Sequence, residues 1–362
     1  MGAFRVFLAL SVLMAHSEDP GTLQGFGGEN AVEVFFVISG FYISAILTSG
    51  YKQIRLFYLN RFLRLYPIYY LILFLSIGLF LVTAFYNSDF SRFSHPWEPL
   101  LLAILANGFI LGTDSIMFLQ WHEGGLHLGN FTNSEFPIHS MLFIPQAWTL
   151  SLEIMFYILA PLLIRLRNSW LIALALSSLL AKVTFLSLVS NTDPWTYRFF
   201  PFEIHLFLLG IAMQRYSSKH IKTVKLSKNR IYLLTAMLFM VNGYVSNTWI
   251  VSRYIWLAVL VCLLFLIILF GESDSTDRKL GELSYPIYIS HIFVIQVCYL
   301  VTSQIDLFDG VMQSSQIRIL LSVLGTFLVS QILIKCTRKV EQGRDLFRLR
   351  AKESSDPHRT SS

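Results

Sequence analysis

Charge is scarce in this sequence. Only 14% of its 362 residues are Asp, Glu, Lys or Arg, against about a quarter in an ordinary soluble domain, while 54% are hydrophobic. That shortage excludes a soluble globular enzyme and a disordered chain alike. Cysteine is nearly absent. Cys262, Cys298 and Cys336 all sit in or at the end of apolar runs, with no CxxC and no metal-ligand spacing, so neither a disulfide framework nor a zinc site is expected. The chain also lacks G-x-S-x-G, a P-loop and H-E-x-x-H. It has no series of alternating ten-residue segments, which excludes a transmembrane β-barrel. It has no internal repeat, which argues against a transporter built from two related halves. The first 16 residues are not followed by a small-x-small cleavage site, so they read as a retained span and not a signal peptide.

What remains is long apolar runs. Taken as helices they lie at 3–17, 31–49, 66–86, 148–165, 170–189, 202–216, 231–247, 253–270, 283–302 and 315–335. The fold class expected is all-α: a polytopic transmembrane bundle of about ten crossings, since a crossing needs about 20 apolar residues. The net charge of +6 is spread through short loops, which does not suit nucleic acid. Arg and Lys gather at 50–65, at Arg165 and Arg167, at 215–230 and after 335. All of these fall on one side when both termini are cytoplasmic, as the positive-inside rule requires. With 87 and 147 both outside, the run at 99–112 cannot cross once, and it is expected to be a re-entrant or interfacial helix. The following loop, 113–147, is expected to cap a cavity. Residues 1–340 read as one transmembrane domain and 341–362 as a basic, polar cytoplasmic tail, disordered at its end.

Five stretches carry polar groups where lipid would exclude them. In "FRVFLALSVLMAHSED", Arg5 and His16 fall on one helical face, about 20° apart in azimuth and about 16 Å apart along the axis. Ionisable groups at membrane depth usually face an interior cavity, and a neutral imidazole there can act as a general base. An anchor at Arg5 and an interfacial cap at His16 is the plainer alternative. In "ENAVEVFFVISGFYIS", Ser39-Gly40 permits close helix contact, and Glu33 reads as part of that packing. In "FYLNRFLRLYP", Arg61 and Arg64 are i,i+3 neighbours that suit a phosphate-bearing donor but equally satisfy positive-inside charge. In "WTLSLEIMFYILAP", Glu153 and Tyr157 share a face, with Trp148 at the start. In "LSYPIYISH", Ser284, Tyr288 and His291 form a polar stripe. His122, His127 and His139 lack the i,i+4 ligand spacing, and no metal is expected there.

In this order the five stretches resemble the membrane-bound acyltransferase family 3, of the polysaccharide or glycan O-acetyltransferase type. The family is marked by Arg-x10-His (Arg5, His16), a "FFVISGF"-like second span (35–41), R-x-x-R (Arg61, Arg64), a segment like "WTLSLEIMFY" and one like "SYPIYISH". The "LDGLRG"-like lead that commonly opens the first span is missing. The resemblance implies transfer of an acyl group, usually acetyl from cytoplasmic acetyl-CoA, to a sugar hydroxyl on an extracytoplasmic or lipid-linked glycan. It implies His16 as base or transient acyl carrier, Arg5 positioning the donor and setting the state of His16, and Arg61 and Arg64 on the CoA phosphates. Glu153 and Tyr157 would orient His16 or the acceptor. Trp148, Ser39, Tyr288 and His291 would line the substrate path. It further implies the inner (cytoplasmic) membrane of a bacterium, with membrane lipids, the glycan acceptor and other polysaccharide-synthesis proteins as partners. A flippase for a lipid-linked glycan, moving substrate without acyl transfer, is the alternative.

Overall fold

The computed structural model describes residues 1–17, 24–49, 53–89, 96–129, 134, 136–189, 193–219, 226–245, 250–271, 274–304 and 315–353. Its elements in chain order are α1 (Gly2–Ala15), α2 (Gly28–Ser49), α3 (Ile54–Asn87), α4 (Trp97–Phe109), α5 (Thr113–Ile116), a hairpin of β1 (Leu119–His122) and β2 (Gly125–Leu128), α6 (Trp148–Leu163), α7 (Asn168–Leu188), α8 (Trp195–Arg198), α9 (Phe200–Lys219), α10 (Lys228–Val245), α11 (Ile250–Phe270), α12 (Ser275–Gln304) and α13 (Ser315–Glu353). Each of the ten expected spans falls on one of these helices. Among the described residues seven stretches are long and apolar enough to cross a bilayer, in α2, α3, α6, α7, α11, α12 and α13. In lipid every backbone amide must be satisfied within the chain, and helices do this locally. Large apolar side chains such as Phe74, Phe85, Leu162, Leu180 and Leu328 point outward and are exposed, as a lipid-facing surface requires.

Close packing of the inner helices rests on glycine. α2 meets α9 at Gly40 and Gly210: a Cβ added to Gly40 would lie 2.1 Å from Phe207 O, and one added to Gly210 would lie 2.1 Å from Val37 O. Backbone therefore touches backbone, the small-residue contact typical of membrane helices. α1 is packed between α2 and α12, and α12 in turn against α13.

The departures from the sequence reading concern where elements begin and end. Residues 54–65, expected in a loop, are the first turns of α3, and Pro67 lies inside that helix. The apolar spacing of Phe57, Leu65 and Ile68 continues through the proline, and all three are buried. Tyr285 of α12 braces α3 there, its hydroxyl donating to Leu65 O at 2.7 Å. α13 runs on past the last expected span to Glu353. The segment after α5 holds a two-stranded hairpin and two 3₁₀ turns, Ile138–Met141 and Pro145–Ala147, where only a loop was expected.

The short apolar segment is the single helix α4. Its terminal carbonyls have no partner of their own within the helix. Three tyrosines of α3 supply them. Tyr69 donates to Asn107 O at 2.7 Å, Tyr70 to Gly108 O at 2.9 Å and Tyr66 to Phe109 O at 2.6 Å. The Asn107 side chain completes the join, accepting from Phe143 N at 2.9 Å and donating to Met141 O at 3.3 Å.

Candidate functional site

A cavity of about 80 Å³ lies between α1, α2, α3, α6 and α12. Arg5, Ser39, Arg61, Arg64, Glu153, Tyr157 and Tyr288, all singled out from the sequence, line it together. Its ionisable lining is three guanidiniums against one carboxylate. Glu153 Oε1 accepts from Ser39 Oγ at 2.5 Å and from the Tyr157 hydroxyl one helical turn on. Arg61 is buried, donates to Asn60 Oδ1 at 2.7 Å, and lies 5.9 Å from the ring centres of both Phe57 and Tyr157. Arg5 stands over the Tyr42 ring at 5.9 Å, and its Nε is buried with no hydrogen-bond partner. A buried donor without a partner, in a chamber of excess positive charge, is chemically suited to an anionic ligand.

His16 is not in this cavity. It follows the last residue of α1, one helix length of about 16 Å from Arg5. There it meets His291 of α12, the ring centres 5.0 Å apart. His16 Nδ1–H donates to Val12 O at 2.8 Å, and His291 Nδ1–H donates to Tyr288 O at 2.5 Å. A carbonyl only accepts, so each ring carries a proton on Nδ1, which in the neutral imidazole leaves Nε2 as a bare lone pair. His16 is exposed while His291 is fully buried. Tyr288 joins the two ends. Its hydroxyl lies 2.7 Å from Thr149 Oγ1 on the cavity wall, while its carbonyl holds His291.

Several expected partnerships are therefore not formed. Arg5 does not touch His16, because ten residues of helix lie between them, in line with the expected spacing of about 16 Å. Glu153 and Tyr157 do not orient His16 either; they bond each other and Ser39 at the Arg5 end. Trp148 is buried outside the cavity lining and carries a different residue, Arg198, whose guanidinium lies 4.6 Å from the Trp148 ring centre and 4.5 Å from that of Tyr197. Asp193 holds the same guanidinium at 2.9 and 3.3 Å. The charge of Arg198 reaches both His16 and His139. Burial first, and then that charge, holds the His139 imidazole below its ordinary value.

The sequence reading also missed a second group of buried charge. Lys182 Nζ of α7 lies 2.9 Å from Glu33 Oε1 of α2 and 2.6 Å from Glu203 Oε1 of α9. Arg253 of α11 reaches Glu33 Oε1 at 3.2 Å and Glu29 Oε2 at 2.8 Å. Glu33 thus belongs to an ion network and is more than a packing residue. The signal was present: Lys182 is a lone cation in the apolar run "LLAKVTFL". Among the described residues no group of three or more His, Cys, Asp or Glu is arranged to hold a metal ion.

Comparison with known proteins gives the chemistry a frame. The family model described as an acyltransferase domain matches residues 1–335. An uncharacterized protein of Aquifex aeolicus is 22% identical over 201 residues, 54% of this chain and 89% of the relative. No solved structure matches the chain.

Proposed function

Because the chain belongs to the membrane acyltransferase family 3, we propose that it moves an acetyl group from cytoplasmic acetyl-CoA to a sugar hydroxyl of an extracytoplasmic or lipid-linked glycan, in the cytoplasmic membrane of a bacterium. One observation supports this reading above the others: an anion-seeking cavity and a bare imidazole lie at opposite ends of a single helix, α1. Donor and acceptor on opposite sides of a bilayer need such a division of labour.

In this reading Arg61, Arg64 and Arg5 hold the CoA phosphates, and the thioester arm runs along α1 toward His16. His16 Nε2 takes the proton of the acceptor hydroxyl. The hydroxyl oxygen bonds to the acyl carbon, the carbon–sulfur bond breaks, and the thiolate receives the proton and leaves as free CoA. Tyr288 and Ser39 line the route. Glu153, held by Ser39 and Tyr157, keeps the cavity floor polar and in place.

The test uses inside-out membrane vesicles that carry the full chain and the cell's own surface glycan, supplied with radiolabelled acetyl-CoA. Alkali-labile label is expected on the glycan, and His16→Ala is expected to lower the rate by about 10²–10⁴-fold. Wild-type transfer by His16→Ala would overturn the assignment of the base. Movement of glycan across the vesicle membrane with no need for acetyl-CoA would favour a flippase instead.

A further inference from the structure

His16 and His291 meet with their ring centres 5.0 Å apart. The two rings come from α1 and α12, and the seam between those helices is tight. A Cβ added to Gly2 would lie 1.6 Å from Asp277 O, where the two helices begin, and the rings meet further along the same pair of helices. Each ring spends its Nδ1–H on a carbonyl of its own helix. The Nε2 of His291 is buried and has no hydrogen-bond partner, which is uncommon for a polar atom in a native interior.

The charges around the pair sharpen the point. From the α8 side comes Arg198, whose field reaches His16. From α13, Arg318 lines a small chamber together with Ser17, the residue after His16. From α12 itself, the Tyr288 ring lies 5.9 Å from His291. Among the described residues no carboxylate hydrogen-bonds or ion-pairs with either imidazole; Glu18 and Asp19 lie outside those residues. A protonated His16 would therefore have no carboxylate partner among the described residues, and the lone pair of His291 is the buried acceptor beside it.

Resting on the reading of His16 as base, we propose that His291 is a positioning residue for the transfer: its Nε2 accepts a hydrogen bond from the imidazolium that His16 becomes. The proton leaves the acceptor O–H as the O–C bond forms, resides on His16 Nε2 in contact with His291 Nε2, and passes to the thiolate as the C–S bond breaks. No proton is gained or lost overall.

The test is the pH profile of acetyl transfer from radiolabelled acetyl-CoA in detergent-opened membranes carrying the full chain. A partner that stabilises the charged form of His16 raises its pKa, so removing that partner moves the acid limb of kcat/KM to lower pH. His291→Met is expected to lower kcat about tenfold or more, leave KM for acetyl-CoA unchanged, and shift the acid limb down by about one pH unit. His291→Gln, which keeps an acceptor oxygen, is expected to hold the limb near its wild-type position. A His291→Met enzyme with its acid limb in place overturns the pair, whatever its rate. If the methionine variant does not accumulate, His291→Phe carries the same test, and a glutamine variant whose limb moves by a full pH unit also counts against the proposal. Wild-type activity in His16→Ala would bring down the underlying mechanism; an essential His16 with an unmoved limb in His291→Met would bring down this inference alone.

Discussion

Two groups of charge lie along the inner helix seams of the described residues, and they differ in what surrounds them. The network of Glu33, Lys182 and Glu203, with Arg253 and the exposed Glu29 at its edge, draws on α2, α7, α9 and α11, and its cations sit directly on carboxylate oxygens. The cavity group of Arg5, Arg61, Arg64 and Glu153 has an excess of positive charge and a cavity of about 80 Å³ beside it. In the first arrangement each cation is paired with a carboxylate. The second is open, and its charges await an anion. Burial of an ionisable group in a membrane therefore does not by itself mark a ligand site. Unbalanced charge beside empty space does.

The comparison can be broken by experiment. The largest expected effect is on the closed network. Lys182→Met leaves Glu33 and Glu203 buried without their shared cation and is expected to cost about 3–5 kcal/mol of stability, read as thermal unfolding of the detergent-solubilised chain. An unfolding midpoint equal to wild type would mean that the network is as open as the cavity. Next come the cavity arginines. Arg61→Ala and Arg64→Ala are each expected to remove a charge-assisted contact of about 1.5–3 kcal/mol, raising KM for acetyl-CoA about 10- to 100-fold, with a smaller loss of stability than Lys182→Met. Unchanged KM in both variants would separate the cavity from the donor. The smallest effect is at Ser39→Ala, which takes one of two donors from Glu153 while Tyr157 stays. About a fivefold fall in kcat/KM is expected, the equivalent of about 1 kcal/mol; a null result would make Ser39 a packing residue of the α2–α9 seam.

How much of this was legible beforehand varies with the physics involved. The helices were, because hydropathy and the backbone's need for internal hydrogen bonds leave few other solutions in lipid. The lining of the cavity by Arg5, Ser39, Arg61, Arg64, Glu153, Tyr157 and Tyr288 follows from polar groups placed at helical spacing on apolar runs. Two things were not legible. Helical azimuth puts Arg5 and His16 on one face, but it does not say that His291 fills the space beside His16 while Glu153 stays at the other end. That depends on how α6 and α12 cross α1. Nor does a lone Lys182 or Arg253 reveal its partners, since ion pairs between helices far apart in sequence carry no spacing signature. The start of α3 was not legible because its first turns, 54–65, carry Arg55, Arg61 and Arg64 and have the charge of a loop. Within a bundle a proline can sit inside a helix when neighbours brace it.

The three tyrosines of α3 that receive the end of α4 bear on how the chain enters the membrane. α3 precedes α4 in sequence, so it is made first. When the bare carbonyls of Asn107, Gly108 and Phe109 arrive, the hydroxyls of Tyr69, Tyr70 and Tyr66 already stand on the preceding helix to take them. An apolar helix of 13 residues, too short to span, is thereby given a place to stop without exposing unpaired backbone to lipid. The order of synthesis thus supplies the donors before the acceptors that need them.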